Sequence, residues 1–367
     1  MLGIPIFRRH RYNRVCRERQ KSCLTLGDWQ ACLQEDHMAE KPKLAMYWAA
    51  SCGGCEISLV NIHEKILDVD ANFDFMFCPC LLDTKKKDIE ALPDGAIAIT
   101  LFNGAIRTSE NEEMARLLRR KSQVLVAFGS CARGGCIPAL SNLHTKAEHF
   151  ECIYRENPSL DNPAGVIPQA ETRVPEGELE LPTFYDRVKT LAQTVSVDYF
   201  IPGCPPESHQ IWNVVELILS GQPLPPAGSI IGAGILTVCD DCQRTKADKK
   251  VSRFYRTWEI IPDREACLLE QGIVCMGIAT RSGCGSPCTE ANMPCTGCYG
   301  APEGTVDQGA KMVAALGSII DIGDPAGRSE AEIAARVAEV VDTIPDYAGT
   351  FYKYSLADSL LRGTTRR

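Results

Sequence analysis

Sulfur is the chemistry this chain carries in excess. Nineteen cysteines occur in 367 residues, most of them in short motifs beside glycine or proline. Three motifs are far apart: Cys52-Gly-Gly-Cys55, Gly-Ser-Cys131-Ala-Arg-Gly-Gly and Pro-Gly-Cys204-Pro-Pro. Eight more cysteines follow as Cys239-x2-Cys242-x24-Cys267-x7-Cys275-x8-Cys284-x3-Cys288-x6-Cys295-x2-Cys298. Thiolates are soft ligands that select zinc or iron–sulfur clusters. A lone Cys-x-x-Cys beside a strand–helix unit also fits a thioredoxin-like redox pair. Disulfides require an oxidising compartment, and no apolar h-region follows the arginines near the start of the sequence. Crowding of eight cysteines into about sixty residues suits metal ligation in a reducing compartment. The expectation is therefore a cytoplasmic protein.

The motifs gain meaning from the elements that must position them. Leu44–Trp48, Phe73–Phe77, Ala96–Leu101, Val124–Phe128 and Val197–Ile201 read as strands. Helices are expected from Glu56 to Leu67, with Ile57, Val60, Ile66 and Leu67 as the apolar stripe, and from Ser109 to about Lys121. Ser109 with Glu112 has the capping-box spacing. A further helix runs from Glu207 to Ser220 and stops at Gly221. Strand–helix alternation implies a doubly wound parallel α/β sheet. Cys52, Cys55, Cys131 and Cys204 all follow carboxyl ends of its strands, where such sheets bind ligands. Four thiolates would meet at one edge, and the glycines beside them let the backbone approach closely.

Pro158, Pro163, Pro168, Pro175 and Pro182 read as a surface insertion between Cys136 and Thr183, and Pro223, Pro225 and Pro226 as a linker. Domains are expected at 1–37 (a basic extension), 38–225 (the sheet with its first cysteine set) and 226–367 (the cysteine-rich part). Residues 1–37 hold seven Lys and Arg against four Asp and Glu, and two readings stand: translation begins at Met38, or the stretch is a disordered basic extension. From Ile235 to Gly300 periodicity fades, as it does where metal bonds hold the chain. Helices return near Val306–Leu316 and Glu330–Ile344. From spacing alone, two four-cysteine zinc sites and two clusters fit the late run equally. The partition taken here is Cys239, Cys242, Cys267 and Cys275 in one set, and Cys284, Cys288, Cys295 and Cys298 in the other.

With 47 acidic against 39 basic residues, a general nucleic-acid surface is not expected. No apolar run reaches about eighteen residues, so a membrane span is not expected either. The six histidines form no metalloprotease or haem-attachment motif. His63 reads as a solvated or satisfied residue. Gly232-Ala-Gly234 has no dinucleotide fingerprint around it. Cys16, Cys23, Cys32, Cys78, Cys80, Cys136 and Cys152 have no assigned role.

Ser51-Cys-Gly-Gly-Cys-Glu56, Gly129-Ser-Cys-Ala, Pro202-Gly-Cys-Pro-Pro206 and Pro294-Cys-Thr-Gly-Cys298 together resemble the small subunit of nickel–iron hydrogenases, from about Lys43 to Pro302. The resemblance implies a flavodoxin-like sheet domain followed by an irregular iron–sulfur domain with C-terminal helices. It implies that Cys52, Cys55, Cys131 and Cys204 hold a proximal cluster, next to the nickel–iron site of a separate large (alpha) subunit. Cys284, Cys295 and Cys298 match medial ligands, and Cys242, Cys267 and Cys275 distal ones. Cys239 stands where many relatives have a histidine ligand, and Cys288 supplies a fourth thiol where their medial set often has proline. Three 4Fe-4S clusters are expected. Glu56 is either a proton relay near the large-subunit site or a first-turn acid that favours the helix dipole.

Within the family, the Cys-Met-Gly run at Cys275 resembles the gamma subunit of the methyl-viologen-reducing type, which does not reduce coenzyme F-420. That type implies electron transfer to heterodisulfide reductase, with a 2Fe-2S delta subunit as a further partner. The gamma subunit of the deazaflavin-reducing enzyme is the alternative. The resemblance assigns this chain no catalytic residue, and alone it should not activate dihydrogen. Two readings from other classes stand beside it: a zinc-stabilised interaction protein, and a dithiol oxidoreductase using Cys52 and Cys55.

Overall fold

The computed structural model describes residues 41–362. Cys16, Cys23, Cys32, the basic extension and Met38 lie outside the described residues. In chain order, strand β1 (Lys43–Trp48) leads to helices α1 (Gly54–Val60) and α2 (Ile66–Asn72), then strand β2 (Asp74–Phe77) and helix α3 (Lys86–Glu90). Strands β3 (Ile97–Asn103) and β4 (Ile106–Thr108) precede α4 (Ser109–Lys121) and β5 (Ser122–Phe128). Short helices α5 (Ser130–Gly134), α6 (Cys136–Ala139) and α7 (Lys146–Glu151) come next. Strands β6 (Glu171–Val174), β7 (Gly177–Glu180), β8 (Phe184–Lys189) and β9 (Tyr199–Ile201) are followed by α8 (Ser208–Leu219) and β10 (Ser229–Ile230).

The principal sheet has six parallel strands in the order β2-β1-β3-β5-β9-β10. This is the flavodoxin-like, doubly wound order with one strand added at the edge. Alternate residues of β1 show why both faces must be covered. Leu44 and Met46 join one core with Leu59, Val69, Val126 and Ile211. Ala45 and Tyr47 join the other with Phe102, Met114, Leu118 and Leu125. A strand apolar on both sides belongs in the middle of a sandwiched parallel sheet.

Several expected boundaries move for identifiable reasons. The helix expected over Glu56–Leu67 breaks into α1, a 3-10 turn at His63–Lys65 and α2. Three residues of its expected apolar stripe point outward, Ile57 being 63%, Val60 50% and Leu67 69% exposed, whereas the fourth, Ile66, is half-buried against the core. Cys55, Glu56, Ser58 and Leu59 take the inward face instead. His63 is exposed, as a solvated residue would be. The cap of α4 is Thr108, which accepts from the Asn111 amide at 3.3 Å. Ser109 Oγ is occupied elsewhere, accepting from the Thr183 amide at 2.9 Å. The sixth strand, β10, has two residues just past the linker prolines, too few to leave a periodic signal. The insertion is built of half-exposed α7 and the exposed β6–β7 hairpin, and β8 pairs antiparallel with β4.

The cysteine-rich part has little regular structure, with α9 (Val238–Asp241) and α10 (Pro287–Glu290) as single turns. Helices α11 (Gln308–Ile319), α12 (Glu330–Val341) and α13 (Tyr347–Phe351) close the described chain. They share a core with Phe254, Leu268, Ile273, Met276 and the thiols of Cys275 and Cys295. Tyr299, 1% exposed, joins this part to the sheet by donating from its hydroxyl to Gln210 Oε1 on α8 at 2.7 Å. Ser130 donates to the Cys298 carbonyl across the same seam.

Candidate metal centres

The first set forms where β1, β3, β5 and β9 end. Cys52 and Cys55 enclose the turn into α1, Cys131 opens α5, and Cys204 follows β9. Gly129 makes the meeting possible. Its φ is +84°, and a Cβ built there would lie 2.4 Å from Cys55 Sγ. Nothing larger than hydrogen fits between the backbone and that thiol. Gly129 is also pinned in place, its amide donating to Ile201 O at 2.8 Å, while the Ser130 amide donates to Gly203 O at 2.8 Å.

Burial raises the Cys55 thiol well above its ordinary value, and Glu56, Cys204, Cys52 and Cys136 add to the effect. Cys136 belongs to this group although its motif context assigned it no role. It lies 3.7 Å from Cys204, Sγ to Sγ. Its hydrogen bond with Cys131 is the largest cause of its own raised value. The available signal was its place five residues after Cys131, behind two glycines. Glu56 is an acid in the first turn of α1, and it is buried. It is 7% exposed and accepts from Asn103 Nδ2 at 2.8 and 2.7 Å, one bond to each carboxylate oxygen. Burial raises its carboxyl above the usual range. Asn103 Oδ1, on the other side of that amide, has no hydrogen-bond partner.

Cys284, Cys288, Cys295 and Cys298 make a second neighbourhood. The Cys298 thiol is pushed up to about 12 by burial and then by Cys284, with smaller contributions from Cys204 and Cys288. Cys284 and Cys288 are both raised, in each case mainly by burial. Cys295 is raised well above the ordinary thiol value by burial, and both Cys275 and Cys298 add to it. The third neighbourhood is Cys239, Cys242, Cys267 and Cys275. The Cys239 thiol is pushed up to about 12 by burial and then Cys275, with Cys267 and Cys242 adding and Lys246 opposing. Gly277 gives these thiols room: a Cβ there would meet Cys239 Sγ at 3.2 Å and Cys275 Sγ at 3.7 Å.

The three sets adjoin in a row. Ser130, next to Cys131 of the first set, donates from its hydroxyl to the carbonyl of Cys298 in the second. The Cys295 amide donates to Cys275 Sγ of the third at 3.3 Å. Among the described residues, no three His, Cys, Asp or Glu side chains converge as ligands of one metal ion must. The donors fit a soft, multi-atom group: thiols alone, close enough to raise one another's pKa, cradled by glycines and reached by backbone amides.

Residues 52–218 match the family described as the NADH ubiquinone oxidoreductase 20 Kd subunit. The iron-sulfur subunit of the F420-non-reducing hydrogenase of Archaeoglobus profundus is 42% identical over 76% of this chain and 88% of its own length. The chain belongs to the nickel–iron hydrogenase small-subunit family. Another relative, a subunit of the F420-non-reducing hydrogenase of Methanothermobacter marburgensis, is 35% identical over 88% of this chain and 97% of its own. A solved chain of the NiFeSe hydrogenase from Desulfovibrio vulgaris Hildenborough aligns with a TM-score of 0.47 and 16% identity, covering 73% of this chain and 95% of that one. No helix among the described residues of this family member is long and apolar enough to cross a membrane.

Proposed function

We propose that this small subunit carries electrons for a cytoplasmic nickel–iron hydrogenase through three 4Fe-4S clusters. The proximal ligands are Cys52, Cys55, Cys131 and Cys204. Cys284, Cys288, Cys295 and Cys298 hold the medial cluster, and Cys239, Cys242, Cys267 and Cys275 the distal one. The observation that carries the reading is the row of thiol sets, joined at Ser130–Cys298 and at Cys295–Cys275. When bound, such clusters take up and release single electrons at potentials set by burial and hydrogen bonds to sulfur. The chain's own residues supply that environment: Cys55 and Cys131 in the first set, Cys295 in the second and Cys275 in the third are buried, which keeps water from one wall of each.

The partner at the first set is the hydrogenase large subunit. Trp48, Ile57, Val60, Leu81 and Leu82 leave apolar surface uncovered on the elements around it. From the third set, electrons pass by way of a 2Fe-2S delta subunit to heterodisulfide reductase. The likeness to subunits of hydrogenases named F420-non-reducing supports this acceptor over coenzyme F-420. The test is dihydrogen-driven viologen reduction by the complex of this chain with the large subunit. Cys131→Ala is expected to abolish it while leaving the complex assembled. Full activity in that assembled variant refutes the reading.

A further inference from the structure

Two thiols outside the three sets are nearly in contact. Cys78 and Cys80 flank Pro79 at the carboxyl end of β2, with their Sγ atoms 3.2 Å apart. The backbone around them is fixed. The amides of Leu81 and Leu82 both donate to the Cys78 carbonyl, at 2.9 and 2.8 Å. Thr84 Oγ1 donates to Met76 O at 2.7 Å, tying the following loop back to the strand. The two thiols differ in access: Cys78 is 1% exposed, whereas Cys80 is open to solvent. A disulfide places its sulfurs about 2.05 Å apart, so side-chain rotation closing roughly 1 Å would form the bond.

We propose that Cys78 and Cys80 are a thiol–disulfide exchange site that reacts reversibly with small-molecule disulfides. Exposed Cys80, as thiolate, attacks one sulfur of the small disulfide, which releases one thiol and leaves a mixed disulfide on Cys80. Cys78 then loses its proton and attacks the Cys80 sulfur, releasing the second small thiol. The protein dithiol gives up two electrons and two protons, and the small disulfide takes up both. Burial, reinforced by Cys80, pushes the Cys78 thiol up to about 12. Access makes Cys80 the attacking group and Cys78 the resolving one, because only the exposed sulfur can meet a small disulfide from solvent. A single residue between the cysteines closes a small ring. Strained disulfides are the labile, reversible ones, so the bond belongs to a redox couple rather than a structural staple.

The site is separate from the iron–sulfur reading, since neither cysteine belongs to the three ligand sets. Tryptic cleavage after Lys65 and Lys85 releases Ile66–Lys85, a peptide with no other cysteine. Cluster-loaded protein would be equilibrated anaerobically with mixtures of oxidised and reduced glutathione, quenched with acid, alkylated and read by mass spectrometry. The expected result is a peptide lighter by two hydrogen atoms and resistant to alkylation, restored by excess reduced glutathione, with an unchanged cluster absorption spectrum. Cys78→Ser should stop at a glutathione adduct on Cys80, and Cys80→Ser should acquire neither adduct nor disulfide. A peptide that stays doubly alkylated in fully oxidised glutathione overturns the proposal, as does Cys78→Ser protein that takes up no glutathione.

Discussion

Replacing Gly129 with alanine separates a site requirement from a fold requirement. Its φ of +84° disfavours any residue with a Cβ, at a cost of about 1–3 kcal/mol. The added Cβ would also sit 2.4 Å from Cys55 Sγ, where ordinary contact begins at 3.4 Å. The sulfur would have to move by roughly 1 Å, beyond the roughly 0.5 Å tolerance of a preorganised site. Gly228 is the control: its φ is +90°, but nothing lies within 4 Å of its Cβ position. Gly228→Ala therefore measures the backbone cost alone. Both variants should lose about 1–3 kcal/mol in denaturant unfolding. Gly129→Ala should in addition lose about four of about twelve irons per chain, with the proximal electron paramagnetic resonance signal. Gly129→Ala protein with full iron and an unaltered signal would refute the close-packing argument for the first set.

Other perturbations test other links. Tyr299→Phe removes the 2.7 Å bond to Gln210 and should lower stability by about 1 kcal/mol, read from the urea midpoint. Glu112 accepts from Lys189 at 2.8 Å and Arg116 at 2.6 Å, and these bonds, Lys189 first, hold its carboxyl at about 2. Its unfolded value is near 4.3, so the stabilisation is complete above that pH and drains away as pH falls toward about 2. The stability gap between wild type and Glu112→Gln should close over that window, and a pH-independent gap would count against the pairing. Ile57, 63% exposed, should tolerate Ile57→Asp within about 0.5 kcal/mol in the isolated chain, yet the change should weaken association with the large subunit in pull-down titrations.

Much of the sheet was legible because its strands are apolar on both faces. The glycine- and proline-flanked cysteines marked which strand ends mattered. Other features depend on long-range contact. Cys55, Leu59 and Ile62 stand at helical spacing and turn into the core, but Ile57 and Val60 offer a competing stripe on the exposed side, and only folding decides between them. Asn103 reads as the end of an ordinary strand, yet it bonds Glu56 across 47 residues. Cys136 looked like a spare thiol until folding set it beside Cys204. In the late cysteine run, residue type named the ligand and spacing named candidate sets, but neighbourhood is a tertiary property.

Iron and acid-labile sulfide per chain, measured on anaerobically purified protein alongside zinc, bear most directly on whether these thiols hold clusters. About twelve of each, with little zinc, is the expected content for three cubanes. Stoichiometric zinc with almost no iron or sulfide, unchanged after anaerobic reconstitution, would contradict it.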